Sequence, residues 1–181
     1  MWPFLYFAGD RLSGAELTAA RLDGDLIEVG EAYMPADAVE TRDLRAGSLR
    51  RVVGDTRAAT HASAAWVHGA LAEPPLVHSV QRASDRRARL PIDVRVHVRD
   101  LVVPPGDLES IAGVQVTTPV RTVVDVARSG DGATLDALLT WRPDLLDAAL
   151  GWLAASGPVH HKRAALSALR ARQDVVTRYT S

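Results

Sequence analysis

The stretch Val114-Gln-Val-Thr-Thr-Pro-Val-Arg-Thr-Val-Val-Asp-Val-Ala-Arg128 constrains this chain more than any other. Its first residues alternate in the manner of a short strand. Thr118-Pro119 then opens a helix, with Thr as the N-cap and Pro at the first helical position, where its missing N–H costs nothing. The helix runs to about Arg128, and Gly130-Asp-Gly132 breaks it. Asp125 stands among Val123, Val124 and Val126, and a charge drawn into a core is tolerated only when paired. Arg121 lies one helical turn before it, so a structural Arg121–Asp125 ion pair is predicted. A strand that feeds a capped helix with an apolar face requires a sheet and helices packed together, which is an α+β fold.

The rest of the chain reads consistently with that layout. Ser13-Gly-Ala-Glu16 is a capping box for a short helix to about Leu22, with Gly24 as its terminator. Asp25–Val29 and Ala32–Met34 read as two strands joined by a tight turn at Gly30-Glu31, and Pro35 stops the second. Helices are predicted over Ala38–Val53 and Arg57–Leu71, separated by Gly54-Asp55. Leu76–Val80 and Ile92–Val98 alternate as half-buried strands, and further strands fit Leu108–Ile111 and Val114–Val116. From Thr134 to Arg172 the pattern is helical, interrupted at Arg142-Pro143 and Gly157-Pro158. The predicted architecture is a winged-helix-like head over residues 1–36, then a body over 37–181. That body combines helices and a mainly antiparallel sheet with a helical C-terminal tail.

Composition excludes several functions. The 181 residues carry a formal net charge of −1, which argues against a wholly basic nucleic-acid binder. With no cysteine there is no thiolate metal site, disulfide or cysteine nucleophile. The histidines lack metal-ligand spacing, so neither a metal nor another cofactor is expected. No apolar run approaches a membrane span, and a cytoplasmic location without a membrane partner is expected. Phosphate loops, dinucleotide fingerprints, nucleophile elbows and zinc-protease motifs do not occur, so no catalytic residue is assigned and a non-enzymatic role is expected.

Three groups could still carry function. His61, Ser63, Trp66 and His68 could line a pocket, although the alanines between them fit close packing better. Arg82, Arg86, Arg87 and Arg89, continued by Arg95 and Arg99, could grip phosphates or form a solvated hairpin interspersed with Asp85 and Asp93. The head holds only Arg11 and Arg21 against Asp10, Glu16, Asp23, Asp25, Glu28 and Glu31. Any DNA contact must therefore come from later arginines: Arg42, Arg45, Arg50 and Arg51 on the next helix, and Arg82, Arg86, Arg87 and Arg89 in the loop. Such binding would be weak and salt-dependent. The His160-His161 pair beside Lys162-Arg163 reads as a charged surface.

Several of these stretches resemble the AbiEi-type antitoxin and transcriptional-regulator family common in actinobacteria. They are Thr60–Gly69, Val77-His78 leading into Arg86-Arg87, Val96–Arg99, and above all Val114–Arg128. The resemblance spans about Leu12 to Arg128. It implies an N-terminal winged helix that binds promoter or operator DNA, and a C-terminal domain that opposes a partner nucleotidyltransferase toxin. A protein-interaction module without DNA binding is the alternative, and a nucleic-acid-processing enzyme using His61, Ser63 and His68 is the third.

Overall fold

The computed structural model describes residues 4–85 and 94–179. Arg86, Arg87 and Arg89, and the start of the strand read from Ile92, lie outside them. In the head, helix α1 (Gly14–Leu22) carries the expected capping box: the Ser13 side chain accepts from the Glu16 amide and the Glu16 carboxylate accepts from the Ser13 amide. Strands β1 (Leu26–Val29) and β2 (Ala32–Pro35) follow as an antiparallel hairpin. Tyr6 bridges Tyr33, which lays the N-terminal segment along the hairpin. Arg21 lies against Glu28 at 3.4 Å, so the base that α1 offers in its last turn meets a carboxylate of β1.

The long helix read over Ala38–Val53 is two short ones, α2 (Arg42–Ser48) and α3 (Arg50–Val53), hinged at Leu49. The predicted helix at Arg57 requires a larger correction. Residues Arg57–Ala59 form strand β3, and helix α4 (His61–His68) begins only after it. Arg-Ala-Ala favours a helix locally. Here the backbone pairs instead with β4 (His78–Arg82) on one side and β7 (Val114–Thr117) on the other, and that long-range pairing overrides the propensity.

The main sheet has the order β5-β4-β3-β7-β6, with β5 at Val96–Val102 and β6 at Leu108–Ile111. The β3–β4 and β6–β7 pairs are antiparallel; the β3–β7 and β4–β5 pairs are parallel. The sheet is thus mixed, where mainly antiparallel pairing was expected. β3 sits at its centre, and without that strand the partners of β4 and β7 cannot be deduced.

Helices α5 (Pro119–Ser129), α6 (Gly132–Trp141), α7 (Leu145–Ala155) and α8 (Lys162–Tyr179) complete the chain. The Thr118 side chain caps α5 as read from sequence, and Gly130 closes it in the left-handed conformation. One hydrophobic cluster gathers Phe7 and Met34 of the head with Leu49, Trp66, Val80 and Val116. A second joins Val123 and Val126 of α5 to Leu135, Leu138, Leu145, Leu153 and Leu169. Helix α4 lies between them, giving Trp66 and Val67 to the first and Ala65 to the second. A helix buried on nearly every side, as α4 is, carries small apolar residues where its neighbours approach.

Candidate functional site

Asp125 anchors the junction of sheet and helices. It is 1% exposed, and the Arg121 Nε donates to its Oδ2 at 2.9 Å while the Arg128 Nη1 donates to its Oδ1 at 3.0 Å. Thr60, just ahead of α4, donates its hydroxyl to the same carboxylate at 3.3 Å. Arg121 reaches on to Asp107 at 2.9 Å, and Asp107 accepts from the indole of Trp152 at 2.9 Å. The predicted Arg121–Asp125 pair is therefore one link of a network that ties α4, α5, α7 and the β5–β6 connection. Asp125 brings favourable charge to Arg121, which raises that guanidinium's pKa against the lowering effect of its burial.

Beside Asp125 opens a cleft of about 350 Å³, lined by His61, Gln81, Arg99, Leu101, Arg128 and the His160–His161 pair, among others. His61 enters it from the first position of α4 with φ 52, in the left-handed region. Thr60 spends its hydroxyl proton on Asp125, so its oxygen accepts from the His61 Nδ1 at 3.0 Å. That bond leaves Nε2 as the unprotonated nitrogen of a neutral ring. Burial, opposed by Asp125 and reinforced by Arg99 and Arg128, pulls the His61 pKa down to about 4. His160 and His161, expected on a charged surface, are exposed and also line this cleft. The Arg128 Nε holds the His160 carbonyl at 2.7 Å. Gln81 was missed, because a glutamine inside a strand pattern gives no signal of its own.

The other members of the sequence-level pocket serve packing. Ser63 accepts from the Ser79 amide at 2.9 Å and lies 3.1 Å from His78 Nδ1, while His78 Nε2 lies 3.5 Å from Glu31. The order Ser–His–carboxylate is that of a nucleophilic triad, but Ser63 is fully buried and no substrate carbonyl could approach it. The chain of contacts instead pins α4 to β4 and to the hairpin turn. His68 donates from Nε2 to the Thr117 carbonyl at 2.8 Å and accepts from Arg42 at 3.1 Å. Burial lowers its pKa and keeps it neutral.

The described arginines of the predicted DNA-contact set all hold partners within the chain. Arg42 meets Glu109 at 2.6 Å. Arg45 meets Glu40 at 2.6 Å and donates to the carbonyls of Trp66 and Leu71, near the C-terminal end of α4. Arg50 and Arg51 both engage Asp10 and cover the ring of Phe7. Arg82 meets Asp100 at 3.4 Å and donates to the Asp85 carbonyl at 2.7 Å. Among the described residues no group of three His, Asp or Glu side chains converges on a metal position, and no helix is long and apolar enough to cross a membrane.

A mixed sheet and a helical pack joined through a buried aspartate on α5 define an α+β domain. Residues 57–173, more than half of the chain, match the AbiEi antitoxin C-terminal domain, and the chain belongs to that family. The matched region holds both Thr60–Gly69 and Val114–Arg128, the two stretches on which the sequence resemblance chiefly rests. Comparison with curated protein sequences gives no significant match. Among solved structures, the RV2827C protein from Mycobacterium tuberculosis aligns at 19% identity over 88% of this chain and 70% of that one, with a TM-score of 0.37.

Proposed function

We propose that this protein is an antitoxin that opposes a partner toxin by direct protein contact, and that the contact surface is the β5 edge of its sheet. The family match over residues 57–173 supports the antitoxin part of this reading, and it spans the five-stranded sheet, helices α4 to α7 and most of α8. The choice of surface rests on exposure. β5 is an edge strand among the described residues. It presents Val98 at 43%, Leu101 at 59% and Val102 at 39% exposure, with Val94 at 89% just ahead of it. Apolar side chains along an open strand edge favour pairing with another chain, and solitary proteins normally blunt such edges with lysine or proline. A nucleotidyltransferase encoded beside the gene is the partner class the family resemblance suggests.

DNA contact forms the regulatory half of the same proposal, and it falls to Arg86, Arg87 and Arg89. The carboxylates already held by Arg42, Arg45, Arg50, Arg51 and Arg82 cancel much of their attraction for phosphate. Co-expression tests the antitoxin reading. The wild-type chain restores growth to cells expressing the neighbouring toxin, whereas Val98→Lys/Val102→Lys fails to do so at equal protein level. Full rescue by the double variant would remove β5 from the contact surface.

A further inference from the structure

The cleft beside Asp125 contains polar groups that its own walls do not satisfy. Gln81 is 1% exposed, yet its Oε1 has no hydrogen-bond partner among the described residues. The Arg99 Nε is also buried and unpartnered there. The β4–β5 register sets Gln81 and Arg99 directly opposite each other. Buried polar groups in folded proteins are almost always paired, so two orphans on residues that line one cleft call for a ligand that supplies both an acceptor and a donor. His61 adds a second acceptor through its unprotonated Nε2. Thr60 donates its hydroxyl to Asp125, accepts from His61 and makes no cap bond to α4, which leaves the positive end of that helix without a side-chain cap. Of the three non-glycine residues with positive φ among those described, His61 and His161 both line this cleft. Backbone strain of that kind persists where the surroundings enforce it, often at binding sites.

We propose that the cleft binds a phosphate ester bearing free hydroxyls, with a 5′-mononucleotide as the ligand class. The Arg99 guanidinium and the uncapped end of α4 take the phosphate oxygens. Gln81 Oε1 and His61 Nε2 accept from the sugar hydroxyls. Exposed Leu101 and the His160 and His161 rings flank the remainder of the ligand. A volume of about 350 Å³ lies at the small end of ligand sites and suits a single nucleotide. No part of this inference depends on a toxin partner.

Isothermal titration of the full chain with adenosine 5′-monophosphate, ribose 5-phosphate, inorganic phosphate and adenosine tests the assignment. The nucleotide binds, ribose 5-phosphate binds more weakly, and adenosine gives no heat. Arg99→Gln, at a position on the sheet edge, weakens the nucleotide at least tenfold without shifting the melting temperature. Gln81→Leu fills the same space with an apolar side chain, so it weakens the two sugar phosphates and leaves inorganic phosphate unchanged. If Arg99→Gln does not fold, Gln81→Leu decides alone. Adenosine binding as tightly as the nucleotide, indifference of both variants, or no heat from any phosphate at millimolar concentration would each overturn the assignment. Ribose 5-phosphate matching the nucleotide would confine the ligand to the sugar phosphate and overturn the nucleotide class.

Discussion

Asp125 shows at the scale of one residue how a charge can organise a core. A buried carboxylate is costly unless its lone pairs are filled, and here Arg121, Arg128 and Thr60 fill them. Asp125→Ala takes the ion-pair partner from Arg128 and leaves Arg121 with Asp107 alone, and we expect a loss of about 3 kcal/mol in chemical denaturation. A loss below about 1 kcal/mol would mean that the network is solvated. His61 sets a pH dependence of definite sign. Its folded pKa of about 4 lies below the ordinary histidine value of 6.5, so the unfolded chain takes up the proton first. Its contribution to stability is intact above about pH 6.5, falls as acid is added, and levels off below about pH 4. The total is on the order of 3 kcal/mol. His61→Asn keeps a residue type that accepts the left-handed backbone and removes the titration. Urea denaturation at pH 7 and pH 4.5 should show the variant losing less stability on acidification than wild type, and equal losses would refute the assignment.

Among elements, local chemistry was legible in the sequence where a cap or a turn specified the backbone. Ser13 and Glu16 placed α1, Thr118-Pro119 placed α5, and Gly30 marked the hairpin. The Asp125–Arg121 pair was readable from spacing within one helix. β3 was not, because Arg-Ala-Ala carries no strand signal and only two distant partners hold it extended. Gln81 and Arg99 form part of one site only through the β4–β5 register, and a parallel pairing leaves no mark in either strand alone. Gly30 shows how a turn residue can also report tertiary packing. It has φ 53, and a Cβ there would lie 2.4 Å from Ser48 Oγ and 2.9 Å from the Trp66 ring. Gly30→Ala combines backbone strain with overpacking, so we expect a loss of roughly 1 to 3 kcal/mol and a reduced melting temperature. An unchanged melt would show that the hairpin does not press on Trp66.

Across the whole molecule, head and body share a core, since Phe7 and Met34 pack with Trp66, Val80 and Val116. Among the described residues, the body matched by the antitoxin family has β5 as an edge strand with exposed Val98, Leu101 and Val102, and the Asp125 network ties together helices packed with that sheet. The central claim is that this edge seats the toxin. The most direct measurement is the equilibrium affinity of the purified chain for a toxin of the proposed nucleotidyltransferase class, by calorimetry or sedimentation. Wild type should form a stoichiometric complex. Val98→Lys/Val102→Lys, at exposed edge positions where lysine is the usual guard against pairing, should bind at least tenfold more weakly with an unaltered melting temperature. Wild-type affinity in the double variant, or no complex with the wild-type chain, would contradict the account.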